Sequence, residues 1–410
     1  MISMYTIRQE SDRTCISDPY TVTLQQLNTS SLTVRKGMRI GVAVGSRGIH
    51  AIDAVCRAVV EYIKEQGAGP FIIPAMGSHG GATAEGQRAV LAGYGITEAS
   101  IGVPVEASME IVELDAPGCE CRLFVSRPAM EADGVIVINR VKPHTDFHGR
   151  YESGLVKMAV IGLGKHAQAL EIHKFGVRGL RELLPVAAAK VFATGKILGG
   201  VAIVENRYDR PVRIEVLSGE MIMEEEPRLL QLAAEHMPHL PVDKIDTLIV
   251  DFIGKDFSGT GLDTNIIGRM RIRGEPEPAS PSIGSIYVRD LSERSHGNAL
   301  GIGLADVISR RLFDRIQFAP MYENAFTSTF LERVKIPVIA DTDRQALSFT
   351  LRSCGYIDPG AERVIRIRTT LHLDEMQVSD AVLREVESQH QFSVVNGPFP
   401  LLNGDDVCEF

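Results

Sequence analysis

Short apolar runs alternate with amphipathic stretches along the whole chain, the pattern of strands and helices taken in turn. Residues 38–46 (MRIGVAVGS), 71–76 (FIIPAM), 133–141 (DGVIVINRV) and 198–206 (LGGVAIVEN) read as buried strands. Helical patterns follow the first two, over about 50–65 and from about 84, and a charged helix covers 223–236. The loop 236–244 (HMPHLPVDK) carries two prolines and marks a domain boundary, after which the pattern restarts. Strands are expected at 246–254, 284–291, 334–341 and 363–370, the last half-exposed from its alternation, with helices at 303–316 and 343–354. The three prolines of 273–284 make that segment a loop. The expected architecture is α/β: two α/β domains with mixed or parallel sheets, 1–245 and 246–410.

Composition narrows the classes. At 410 residues the chain is too long for one core, and 44% hydrophobic content excludes a disordered protein. Forty-three basic against 52 acidic residues leave a net charge of −9, which argues against a nucleic-acid or anionic-membrane partner. No apolar run approaches the about 20 residues that span a bilayer. The opening MISMYTIRQESDR lacks the basic and apolar segments of a signal peptide. Six scattered cysteines, with Cys119-Glu-Cys121 the one close pair, fit reduced thiols and a cytoplasmic setting.

Three loops carry candidate chemistry, each directly after an expected strand, where open α/β sheets bind ligands. In 45–50 (GSRGIH), Arg47 could grip a carboxylate or phosphate with its guanidinium fork. In 74–87 (PAMGSHGGATAEGQ), Gly77, Gly80 and Gly81 allow a sharp turn, Thr83 is placed to cap a helix, and His79 is displayed at the centre as an acid/base. The densest segment is 141–173, which holds His144, His148, His166 and His173, four of the chain's 11 histidines. Lys157 stands there in the apolar run SGLVKMAVIGLG, where an ammonium must reach water, find an acid, or be neutral and form a covalent bond.

Together and in this order, these loops resemble the nickel-pincer-nucleotide lactate racemase family over most of the first 175 residues, and more loosely beyond. Ser153-Gly154-Leu155-Val156-Lys157 resembles the family segment whose lysine bears the cofactor, and His173 lies sixteen residues further, where the family has a nickel ligand. The resemblance implies a cofactor, pyridinium-3,5-bisthiocarboxylic acid mononucleotide nickel, attached through Lys157, with Gly80, Thr83, Ser153 and Gly154 lining its site. It implies His79 and His144 as the acid/base pair and Arg47 as the substrate grip, with His148 a rival for the second position. The implied reaction inverts C2 of a 2-hydroxy acid: a histidine takes the hydroxyl proton, hydride leaves C2 for the cofactor and returns to the other face. It also implies a small-molecule substrate and dependence on cofactor-biosynthesis enzymes.

Departures from the family concern the substrate. Val44 replaces an acidic residue, and the chain has no tryptophan to wall off a lactate methyl group. In 259–271, Asp263 and Asn265 match a substrate-gripping element, but Gly268 and Arg271 stand where the family has Gln and Lys. His296 and Asn298 offer further polar groups in 293–303. With Asp263, Asn265, Arg271, His296 and Asn298 around an active site in the cleft between the domains, the expected substrate is a larger polar acid such as an aldonic acid. Competing expectations are a smaller acid of lactate or malate type, a zinc hydrolase built on the histidines, a non-catalytic nucleotide-binding protein, and an ordinary proton-abstraction epimerase without nickel. Arg39, Lys142, Arg150, Lys165 and Lys255 are the basic candidates for the cofactor phosphate.

Overall fold

The computed structural model describes residues 2–410 except Ser11 and Arg47, with Thr327 described by its backbone alone. The chain divides into two compact units, Arg13–Met237 and a second made of Met1–Asp12 with Pro238–Phe410.

The Arg13–Met237 unit is built on a five-stranded sheet in the order Gly69–Pro74, Arg39–Val44, Gly134–Arg140, Ile197–Glu205, Pro211–Ser218. The first four strands run parallel and the last antiparallel. Central parallel strands are covered on both faces, so they appear in the sequence as unbroken apolar runs. Ile40, Val42, Val44, Ile136, Ile138, Val201 and Ile203 are all buried. Against them packs the helix Ile52–Glu65, whose Val55, Val59 and Ile63 recur at helical spacing on its buried side. The helical segment from Leu155 also lies close to the sheet, because Gly200 has no side chain there. A Cβ at Gly200 would sit 2.7 Å from Val137 and 2.8 Å from Leu155.

The second unit holds an eight-stranded mixed sheet. Val338–Ala340, Val307–Ser309, Ser282–Leu291, Lys244–Ile253 and Val364–Ile367 are parallel neighbours in that order. Glu375–Ser379, Ser3–Gln9 and Phe392–Pro400 complete it as antiparallel neighbours. The expected boundary of 1–245 is therefore corrected at the N-terminus. Ser3–Gln9 buries Met4 and Ile7 and pairs with two strands from the end of the chain, so it belongs to the C-terminal sheet.

Two further expectations fail for a shared reason, partners far away in sequence. The stretch 303–316 is not one helix: Val307–Ser309 inserts as a β-strand between two parallel neighbours, and Ser309 then caps the short helix Arg310–Asp314. The strand at 363–370 is buried on both faces. Its Arg366 is 2% exposed and bonds Asp251 at 2.9 Å, and Arg289 bridges Asp251 and Asp343 at 2.8 and 2.7 Å. Fixed guanidinium–carboxylate geometry lets these charges tolerate burial. No helix among the described residues is long and apolar enough to cross a membrane.

Candidate active site

The three chemistry-bearing loops leave the carboxyl ends of three adjacent parallel strands, Gly69–Pro74, Arg39–Val44 and Gly134–Arg140, so the sheet itself gathers them. The third loop closes on itself where Lys142 and Ser153 exchange backbone hydrogen bonds of 3.0 and 3.2 Å. The buried Glu152 carboxylate organises its interior, accepting from the backbone N–H groups of His144 (2.6 Å) and Gly149 (3.1 Å). Asn139, at the end of its strand, donates to the Gly154 carbonyl at 3.0 Å.

A helical turn, Leu155–Lys157, begins there and continues as a π turn over Met158–Gly162. Its first N–H groups, which no helical carbonyl reaches, meet a carboxylate from 70 residues away: Glu226 of helix Ile222–Glu235 accepts from Val156 at 3.0 Å and also from Leu155. Any side chain at Gly154 would collide with that carboxylate. Glu226 is 1% exposed, its Oε1 has no hydrogen-bond partner, and burial pushes its carboxyl up to about 7 despite the two N–H donors.

This arrangement sets Lys157 against a histidine. Lys157 Nζ lies 2.5 Å from His144 Nε2 and over the Phe147 ring at 5.9 Å. His144 Nδ1 accepts the Asp146 backbone N–H at 3.0 Å, so a neutral His144 carries its proton on Nε2. The contact then suits a lysine amine whose lone pair accepts that proton. His173 ends the helix Lys165–His173. Burial holds its imidazole below the ordinary value, and a charge on Lys157 acts in the same direction, so the two lie within electrostatic reach. A neutral imidazole is the form that binds a metal. His148, the rival, faces Glu152 at 3.2 Å instead.

The second loop turns tightly around His79. Gly80 adopts φ +66°, and a Cβ there would be 2.5 Å from Gln87 N, so only glycine suits both conformation and space. Thr83 caps the helix Ala84–Gly93 by accepting the Gly86 N–H at 3.0 Å. Gly80, Thr83 and Gly154 thus have structural tasks that their expected cofactor contacts did not include. His79 Nδ1 contacts Ser46 Oγ in the first loop. The second loop also touches the π turn after Lys157, through the Gly77 N–H to the Gly162 carbonyl at 3.4 Å.

Beneath His79 lies a support that motif reading assigned elsewhere. Lys165, 1% exposed, is not a surface phosphate grip. Its ammonium donates to the Pro74 carbonyl and to Gln87 Oε1 at 3.3 Å, while Gln87 Nε2 donates to the Gly77 carbonyl at 2.9 Å and that of His79 at 3.4 Å. Burial lowers the Lys165 pKa to about 8. Lys165→Met is expected to leave the Pro74 carbonyl and Gln87 short of a donor, costing about 1–3 kcal/mol. Amide exchange across 77–82 should rise in that variant, and unchanged protection there would show that Gln87 holds the loop without help. Of the other phosphate candidates, Arg39 pairs with Glu106, and Lys255 bonds Asn324.

The C-terminal candidates have bonding partners within their own unit. Asp263 Oδ1 accepts from Asn265 N and Nδ2, each at 3.0 Å, and caps Thr264–Ile267. Arg271, at φ +47°, pairs with Asp306 at 3.3 Å and donates its N–H to Glu277. Asn298 Nδ2 donates to Asn324 at 3.0 Å, and its neighbour His296 adopts φ +48°. Arg47 lies outside the described residues. Among the described residues no three His, Cys, Asp or Glu side chains converge as a metal site, the arrangement a zinc hydrolase requires.

Residues 42–234 match the model of a domain of unknown function, DUF362. Among curated proteins none matches the sequence. Among solved structures, the chain is similar to the lactate racemase apoprotein from Thermoanaerobacterium thermosaccharolyticum. The TM-score is 0.51 at 11% identity, over 83% of this chain and 89% of that one. At that identity the likeness is one of fold: the chain shares the mixed α/β architecture of that racemase.

Proposed function

We propose that this chain is a racemase or epimerase that inverts C2 of a 2-hydroxy acid with a nickel-pincer nucleotide tethered to Lys157. The observation that carries this reading is the partly buried contact of Lys157 Nζ with His144 Nε2, with His173 within electrostatic reach. Deprotonated, a lysine at this contact is the nucleophilic amine that a covalent tether requires. His173, kept neutral by burial, suits a single protein ligand to a nickel held otherwise by its own organic group. When bound, that group supplies the hydride acceptor and donor for C2.

The chain's own residues handle protons and position. His144 is oriented by the Asp146 N–H and by its backbone N–H donating to Glu152, and His79 by Ser46. Each is assigned to return a hydroxyl proton or, when its ring nitrogen is unprotonated, to take one. Two separate histidines serve a reaction in which the two enantiomers present their hydroxyls differently. Arg47 is assigned to the substrate carboxylate, and Asp263, Asn265, Arg271, His296 and Asn298 to a polar substrate tail. Without a tryptophan wall, an aldonic acid is the favoured substrate class.

The test is peptide mass and nickel content of protein made in cells that produce the pincer nucleotide, followed by turnover of a panel of C2-deuterated 2-hydroxy acids. An adduct on the Lys157 peptide with stoichiometric nickel, both lost in Lys157→Ala, is the expected result, with deuterium retained in the product. An unmodified Lys157 from such cells would overturn the tether. Deuterium exchanged with solvent would replace hydride return by proton abstraction, and preference for lactate over aldonates would overturn the substrate class.

A further inference from the structure

The dithiol Cys119-Glu-Cys121 has no part in the chemistry above. It sits in the loop 115–122 that joins the antiparallel strands Ile111–Leu114 and Leu123–Ser126. The turn Ala116–Cys119, closed by the Cys119 N–H to the Ala116 carbonyl at 3.0 Å, folds the loop back. The two sulfurs consequently face each other at 3.4 Å. Cys119 is half-buried and Cys121 is 4% exposed.

This loop is fastened to the segment that carries His173 on both sides of that residue. Glu120, between the cysteines, pairs with Arg178. The Arg122 N–H donates to Glu171 at 3.3 Å, and the Phe124 N–H to Gln168 at 2.7 Å. Three successive alternate residues of the loop and strand thus hold 168, 171 and 178.

We infer that Cys119 and Cys121 form a peroxide-oxidisable dithiol whose disulfide reshapes the packing of the 165–178 segment. Cys119 is the attacking thiol, since an oxidant reaches it first. Its thiolate takes one oxygen from a hydroperoxide, breaking the O–O bond, to give a sulfenic acid and, for hydrogen peroxide, one water. Cys121, whose thiol burial pushes up to about 12, resolves it: its sulfur displaces the hydroxyl as a second water. Two thiols lose two electrons and two protons, and the peroxide accepts them. The sulfurs must close by roughly 1.4 Å to reach bonding distance, and that movement pulls on Glu120 and Arg122.

The experiment uses the full chain without added metal or cofactor, so its outcome is independent of the racemase reading. Limited hydrogen peroxide, alkylation and peptide mapping should show the 119–121 peptide losing two hydrogens at least about tenfold faster than exposed Cys15 oxidises, because the second thiol is already in place. Dithiothreitol should reverse it. In Cys121→Ser, Cys119 should stop at a sulfenic acid that dimedone traps. Amide exchange over 165–178 should change on oxidation of the native protein but not of Cys119→Ser. Both cysteines alkylated in full while Cys15 is oxidised would overturn the site. A disulfide with unchanged exchange over 165–178 would overturn the coupling.

Discussion

If the chain is the proposed 2-hydroxy acid racemase, replacing His144 by asparagine is expected to slow interconversion of the two enantiomers by about 10²–10⁴-fold, and His79→Asn by a similar factor. Each direction of an inversion needs one base and one acid, so neither variant can favour one direction at steady state. Single turnovers separate the two roles. In each variant the surviving histidine still deprotonates the enantiomer whose hydroxyl faces it. Keto acid should therefore form from one enantiomer in His144→Asn and from the opposite one in His79→Asn. Rapid-quench measurements with each pure enantiomer read this directly. The same preference in both variants would show that one histidine serves both hydroxyls. On the proposed reading His144, which contacts Lys157 and accepts the Asp146 N–H, is the histidine of the third loop to test, while His148 faces Glu152.

Stability should fall as pH rises from about 4.5 to 7, and Glu226→Gln should flatten that fall. The Glu226 carboxyl titrates near 7 in the folded protein because it is fully buried, against an ordinary value of 4.5. Between those values the folded state keeps a proton that the unfolded chain has lost. Losing stability with rising pH is the sign this requires. The shift corresponds to about 3 kcal/mol, fully felt above pH 7. Glutamine keeps an oxygen for the Leu155 and Val156 N–H groups and carries no charge, so the variant should be the more stable protein at pH 8 and comparable at pH 5. Glu226→Ala should be destabilised at both, since it leaves those N–H groups unpaired at a cost of about 1–3 kcal/mol. Urea unfolding of the metal-free protein at pH 5 and 8 decides the matter. A pH dependence identical in native protein and Glu226→Gln would mean that other groups carry it.

Much of this site was legible in the chain because the features that build it are local. Buried parallel strands write themselves as apolar runs, and the loops that follow contain the glycines and histidines. What escaped reading comes from partners far off in sequence. Nothing around residue 226 shows that this glutamate, on a helix of ordinary charged appearance, crosses to cap the turn bearing Lys157. Lys165 stands in a segment rich in basic and histidine residues, where a phosphate grip is the natural inference. Its left-handed backbone at φ +58° aims it under the His79 loop instead. Arg366 alternates with apolar neighbours as a solvent-facing residue would, and Asp251, more than a hundred residues earlier, draws it inside. A signal was present for Ser3–Gln9, whose Met4 and Ile7 interrupt polar neighbours, but no local pattern tells a strand which sheet to join.

That strand has a topological consequence. Because Ser3–Gln9 is an interior strand, next to the edge, of the sheet otherwise formed by Pro238–Phe410, the Arg13–Met237 unit is an insertion, entered and left by the chain once each. On the ribosome the guest can finish folding while Ser3–Gln9 still waits for Glu375–Ser379 and Phe392–Pro400. The order of assembly is then inverted relative to the order of synthesis: a strand made before the guest finds its place after it.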